Sequence, residues 1–201
     1  IGGGISSTIA RALGAGRPDR ASEAMFHAVI VSVIIGVVSF VAGIVLGKPL
    51  YRMFGGVDAS LHAAVTYSTV VFAGMIPLWI FNALASSLRG TGNMIVPGIV
   101  ICGGTVLLIP LSFYLIFGIG AFPGLGIAGG GLALVIYYLL GSIILAWYIG
   151  RNMSIVRFRR AAFSWWPIKE ILTVGAVGLV NTTAISIGIT VTMALVARHA
   201  G

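Results

Sequence analysis

The chain has 201 residues, of which 59% are hydrophobic and only 8% charged, with a net charge of +8 and a mean hydropathy of +1.11. A soluble domain carries roughly a quarter charged residues to keep its surface wet. The composition therefore excludes an ordinary water-soluble domain and places most of the chain in lipid.

The uncharged runs between charges give the elements, because a helix needs about twenty apolar residues to cross the hydrocarbon layer. Ile1 to Ala10 is apolar but only half a span long, and the chain starts without Met. It reads as the end of a helix whose beginning belongs to a longer protein, so the lack of a signal peptide carries no meaning. Ala24 to Gly47 contains fifteen Val, Ile, Leu, Phe and Met residues and predicts the first full span, 24–47. Ala59 to Leu88 predicts a helix over 60–88. Gly90 to Gly150 runs for 61 residues without a charge, too long for one crossing and right for two, over 94–117 and 127–150. Ile171 to Ala197 predicts the last, 171–197. The single Cys102 lies inside a span and excludes a disulfide within the chain.

Between the third and fourth predicted spans, PGLGIAGGG (Pro123 to Gly131) contains GLGIAG, which fits the G-x-G-x-x-G pattern of dinucleotide-binding turns. That pattern has meaning only after a strand, with an acid roughly twenty residues downstream to hold the ribose. After Asp58 the next carboxylate is Glu170, so no acid is placed for that role. The glycines read instead as the turn of a helical hairpin: glycine ends one helix, Pro123 fixes the loop, and small residues let the next helix pack closely.

Lys and Arg are divided unequally between alternate loops. Nine fall on one side, in the loop at 11–22, the turn at 89–93 and the loop at 151–170, and three fall on the other, Lys48, Arg52 and Arg198. The positive-inside rule makes the first three segments cytoplasmic, in a multi-pass protein of a plasma membrane such as a bacterial inner membrane. RFRR, Arg157 to Arg160, stands beside Trp165 and Trp166. At a membrane edge this patch reads as an anchor on lipid headgroups; it gives no reason to expect nucleic acid as a partner.

Three kinds of function remain. An intramembrane enzyme needs a nucleophile with a base, or metal ligands, at one depth; His27, His62 and His199 lie near helix ends and no carboxylate sits in a span. A channel needs a filter or a charged ring, and none is visible. A secondary transporter is built from Gly- and Pro-interrupted helices around an alternately opening cavity, which this pattern fits best. No cofactor and no metal site is expected.

Four stretches carry a family resemblance. IGGGISSTIARALGAGRPDRASEA at 1–24, SSLRGTGN at 86–93, LIFGIGAFPGLGIAGGGLAL at 115–134 and WPIKEILTVGAVGLV at 166–180 resemble, in order and spacing, stretches of the multidrug and toxic compound extrusion (MATE) family. The resemblance covers essentially the whole chain. It implies an all-α polytopic bundle of twelve helices in two six-helix lobes around a central cavity, exporting drugs or amphipathic organic cations in exchange for Na⁺ or H⁺. This chain then supplies part of helix two to helix seven: 1–150 for the first lobe, 151–170 for a basic loop between lobes and 171–201 for the first helix of the second lobe. The rest of the second lobe is an expected partner. Export or flipping of lipid-linked glycans, by a related branch, is the alternative; that cargo would call for Arg or Lys in the cavity to meet its pyrophosphate.

The resemblance also has departures. Where many members carry Asn and Asp one turn apart on the fifth helix, this chain has Leu108 and Ser112, and no acid stands in 171–197. A coupling ion must therefore find a carboxylate elsewhere or be held by neutral oxygens. For the cavity, the residues to consider are polar side chains with no reason to face lipid. Met75, Trp79 and Asn82, with Pro77 as a kink, suit flat cations on the second full span. Asn181 with Thr182, Ser186 and Thr190 forms a polar face on the last helix, although hydroxyl residues packed against their own backbone would produce the same pattern. Tyr67, Tyr137 and Tyr138 read equally as cavity or interface residues.

Overall fold

A computed structural model describes residues 1–53, 58–118, 123–158 and 164–177, and these residues are helical with connecting turns and no strand. α1 spans Gly2–Gly14, α2 Pro18–Met53, α3 Asp58–Ala73, α4 Met75–Gly90, α5 Ile95–Phe117 and α6 Ile127–Gly150. A seventh helix, α7, covers 165–177. Among the described residues α2, α5 and α6 are each long and apolar enough to cross a membrane, and α3 with α4 makes a further crossing when the bent pair is counted as one span.

The uncharged runs locate α5 and α6 to within a residue of 94–117 and 127–150. Elsewhere the helices differ from the expected bounds for physical reasons. α2 has 36 residues, about 54 Å at 1.5 Å per residue, against about 30 Å of hydrocarbon. Its extra turns carry Asp19, Arg20 and Glu23 at one end and Lys48 and Arg52 at the other. Charges end the membrane-buried part but not the helix. Pro18 opens it at a position where its missing N–H costs nothing, and Asp19 complements the dipole there. α7 likewise begins before 171.

The expected helix over 60–88 is two helices, bent by 45° between Ala73 and Met75. Pro77 supplies the cause: it has no N–H to offer the Ala73 carbonyl, and its ring crowds the preceding turn. Gly74 absorbs the bend at φ −82, ψ 0, and its N–H turns to the Val71 carbonyl at 2.9 Å. A Cβ at Gly74 would stand 2.6 Å from Val135 Cγ2, so α6 lies directly against the bend.

The glycine run after Phe117 is the turn of the α5–α6 hairpin, preceded by a helix and not by a nucleotide-binding strand. Gly118 and Gly124 take φ of 75° and 70°, which side chains disfavour. Beyond the turn, the N–H groups of Leu125 and Gly126 donate to the carbonyls of Leu115 and Ile116 at 2.8 and 3.1 Å.

In the bundle α2 packs on α1 and α4, α6 packs on α3, α4 and α5, and α5 reaches the rest almost wholly through α6. The core is confined to one end. Ile5 and Ile9 of α1, Met25 of α2, Leu84 and Leu88 of α4, and Leu145 of α6 are fully buried together. Val156 from the α6–α7 linker and Ile171 from α7 join them. This end also carries Arg11, Arg89 and Arg151 and is called the basic end below. Toward the other end Val38, Val45, Val106 and Leu107 are more than half exposed.

Candidate functional site

Met75, Trp79 and Asn82 fall within about 60° of one another around α4, so the structure brings these three candidates onto one face. Asn82 is exposed, and its Nδ2 donates to the Leu78 carbonyl of its own helix at 2.9 Å. Trp79 is half-buried, yet its indole Nε1 is shut from solvent and has no acceptor among the described residues. Lower on the same face Ser86 and Gly90 meet α1: a Cβ at Gly2 would stand 2.8 Å from Ser86 Oγ, and one at Gly90 2.8 Å from the Ser6 carbonyl. α1 and α4 therefore run parallel. Asn82, Trp79 and Met75 lie on α4 before the Ser86 contact with Gly2.

Tyr137 and Ser112 are elsewhere. Tyr137 packs on α4 through Phe81, with ring centroids 5.8 Å apart, and against α5, where a Cβ at Gly104 would stand 2.5 Å from its ring. Phe81 lies roughly 200° around α4 from Trp79, so Tyr137 does not share the Asn82 face. It lines a small apolar cleft of about 60 Å³ with Val100, Leu108 and Leu111 of α5. Tyr138 stacks edge-on against Phe81 at 5.7 Å. Ser112 is half-buried on α5, one residue from that cleft. Leu108, at a position where the family resemblance would expect a polar residue, is part of its apolar lining. Tyr67 is exposed. Asn181, Ser186, Thr182 and Thr190 lie outside the described residues.

Two buried polar groups gave no sequence signal because their partners are distant. Ser142 of α6 has its Oγ 2.7 Å from the Tyr138 carbonyl and 3.0 Å from the Pro77 carbonyl, so one hydroxyl hydrogen is shared between its own helix and the bend in α4. His27 is fully buried. Its Nε2 accepts from the Ser164 N–H at 3.0 Å, which leaves Nδ1 as the donor to the Glu23 carbonyl at 2.9 Å. The imidazole thus ties the start of α7 to α2. His27→Leu should orphan the Ser164 N–H and cost about 1–2 kcal/mol. A thermal melt of the purified protein should show a lower Tm, and His27→Gln, which keeps an acceptor, should recover part of it.

Further contacts fasten the linker and α7 to the basic end. Ser22 Oγ accepts the Arg157 N–H at 3.1 Å, Arg20 lies over the Trp166 ring at 5.5 Å, and Arg11 pairs with Glu170 at 2.6 Å. Among the described residues no group of His, Cys, Asp and Glu could hold a metal ion.

A family model described as MatE matches residues 1–115. Among curated relatives, a probable multidrug resistance protein of Bacillus subtilis is 28% identical over 173 residues, covering 86% of this chain and 37% of the relative. Another so named, from Thermotoga maritima, is 28% identical over 188 residues, 92% of this chain and 40% of the relative. A protein named FAD transporter from Shewanella oneidensis is 26% identical over 140 residues, 70% of this chain and 31% of the relative. The chain spans about two fifths of the length of the first two. Solved structures agree. The inward-facing form of a multidrug resistance MATE transporter of the MOP superfamily matches with a TM-score of 0.81 at 26% identity, over 87% of this chain and 40% of that one. An outward-facing form matches with a TM-score of 0.77 at 26% identity, over 87% and 38%.

Proposed function

Because this chain belongs to the MatE family, a family of transporters with multi-pass helical folds, we propose that it is the first-lobe part of a multidrug efflux transporter. The cargo is an amphipathic organic cation, moved by alternating access in exchange for Na⁺ or H⁺. Its likeness to relatives named as multidrug resistance proteins carries this reading. A likeness of one piece to both an inward-facing and an outward-facing transporter supports a lobe that tilts as a unit.

Met75, Trp79 and Asn82 are the residues of this chain proposed to meet cargo. An aromatic face, a polarisable thioether and an amide on one wall suit flat cations without demanding one shape. Trp79 adds an indole N–H with no partner among the described residues. The coupling ion is assigned to residues outside 1–201 or to neutral oxygens, since no Asp or Glu stands in 24–47, 60–88 or 90–150. The basic end is proposed to face the cytoplasm of a bacterial inner membrane, following the nine-to-three division of Lys and Arg.

The test is export of several chemically distinct cations by cells expressing the complete protein, normalised to its amount in the membrane. Export of none of them would sink the reading. Asn82→Leu should change the relative rates among cations by several-fold while the protein level stays near normal; a uniform loss tracking expression would remove Asn82 from the site. The relative named FAD transporter favours a second reading, an anionic flavin dinucleotide as cargo. That cargo, like a lipid-linked glycan, asks for cations along its path, and the same three stretches contain neither Lys nor Arg. FAD added to the same assay decides between them.

A further inference from the structure

At the basic end a cavity of about 320 Å³ opens where α2 begins, α6 ends and the linker turns back. Its polar lining comes from Asp19 and Ser22 of α2 and from Asn152 and Arg157 of the linker, and its apolar wall from Ile149 and Phe158. None of these residues has been assigned to the cargo path, which lies on another face. We propose that this cavity is a binding site for the headgroup of an anionic glycerophospholipid.

Depth is the first support. α6 is a membrane-crossing helix that ends at Gly150, so the residues just after it sit where hydrocarbon gives way to headgroups. Arg151 lies over the Trp147 ring at 4.9 Å, the arrangement of an aromatic ring and a cation at that boundary. Beside the cavity Met153, Ile155 and Phe158 are 56%, 59% and 47% exposed. Apolar side chains so exposed beyond the end of a span need cover, and the glycerol and upper acyl carbons of a lipid seated in the cavity provide it.

Chemistry is the second. Arg157 brings a guanidinium, which matches phosphate oxygens in two-point fashion. Its main chain is held at the cavity, because its backbone N–H donates to Ser22 Oγ; the Ser22 hydroxyl hydrogen and the Asn152 amide remain to donate to an anion. Arg20 and Arg151, chain neighbours of the lining residues Asp19 and Asn152, add to the positive potential of this end. Asp19, which has a partner of its own, keeps the cavity from being uniformly positive. This favours a headgroup with hydroxyl donors beside its phosphate, as in phosphatidylglycerol, over a choline headgroup with none.

The complete protein, purified and placed in nanodiscs of phosphatidylglycerol or of phosphatidylcholine, tests this by native mass spectrometry of the lipid retained. Phosphatidylglycerol should be retained and phosphatidylcholine should not. Arg157→Gln should lower retention at least about fivefold, Arg157→Lys should restore part of it, and Lys48→Gln at the opposite end should change nothing. Equal retention by Arg157→Gln and the parent would overturn the proposal, as would equal retention of both lipids. Full displacement by millimolar glycerol 3-phosphate would overturn the lipid assignment in favour of a free phosphate ester. Retention is read without any cargo, so its outcome is separate from that of the export assay.

Discussion

Gly129→Val is expected to abolish recovery of folded protein. Gly129 stands in the first turn of α6, and a Cβ there would run into the Leu115 carbonyl, 2.5 Å from its carbon and 2.9 Å from the Ile116 nitrogen. Those are backbone atoms of α5, held by the hydrogen bonds that close the hairpin, and they cannot swing aside as a side-chain tip can. To relieve the overlap the two helices must separate, and α5 has almost no other attachment to the bundle. The cost exceeds the ~1–3 kcal/mol usual for overpacking. Fluorescence-detected size-exclusion chromatography should show the monodisperse peak replaced by aggregate. Gly98→Ala, where an added Cβ meets nothing within 4 Å, should leave the peak intact. A normal peak for Gly129→Val would mean that the hairpin is not packed this closely.

Gly4→Val is the second substitution with a large expected effect, and it acts on a different contact. A Cβ at Gly4 would overlap the Ile171 carbonyl oxygen and stand 3.3 Å from the Gly175 nitrogen, while Gly175 itself lies 3.4 Å from Ile1 by the same measure. Two glycines therefore let α1 and α7 touch backbone to backbone, as small residues do between membrane helices. Valine should push α7 away, expose Ile171 and part Arg11 from Glu170. We expect a loss of about 2–3 kcal/mol in the docking of α7. With Cys102 replaced by Ser, a short bifunctional thiol reagent should link Arg11→Cys to Glu170→Cys, and adding Gly4→Val should reduce that yield at least fivefold. An unchanged yield would show that α7 does not depend on this approach.

How much of this was readable beforehand follows from what each residue reports. A run without charges reports the width of the hydrocarbon, which is why α5 and α6 matched their expected bounds while α2 continued to Pro18 and Met53 through turns that carry charge. Pro77 announced a bend, and Gly74 took it three residues earlier, because proline disturbs the carbonyl four residues before it. The candidate site was legible only along single helices. Met75, Trp79 and Asn82 share a face by spacing alone, whereas the separation of Tyr137 from that face depends on how α4 and α6 are rotated against each other, which no spacing within one helix encodes. His27 offered no sign of its partner, since Ser164 lies 137 residues away. The close approaches at Gly4 and Gly129 were hidden among 29 glycines that look alike in sequence.

The confinement of the core to the basic end has a consequence for how such a chain changes over generations. Ile5, Met25, Leu84, Leu145 and Ile171 hold one another at that end, so a substitution there draws on the small stability margin that keeps the protein folded. At exposed apolar positions farther along, such as Val38, Val106 and Leu107, one aliphatic side chain can replace another with little loss of packing. Drift is thereby expected to be channelled: substitutions at the anchored end should be tolerated less often than aliphatic exchanges at these exposed positions.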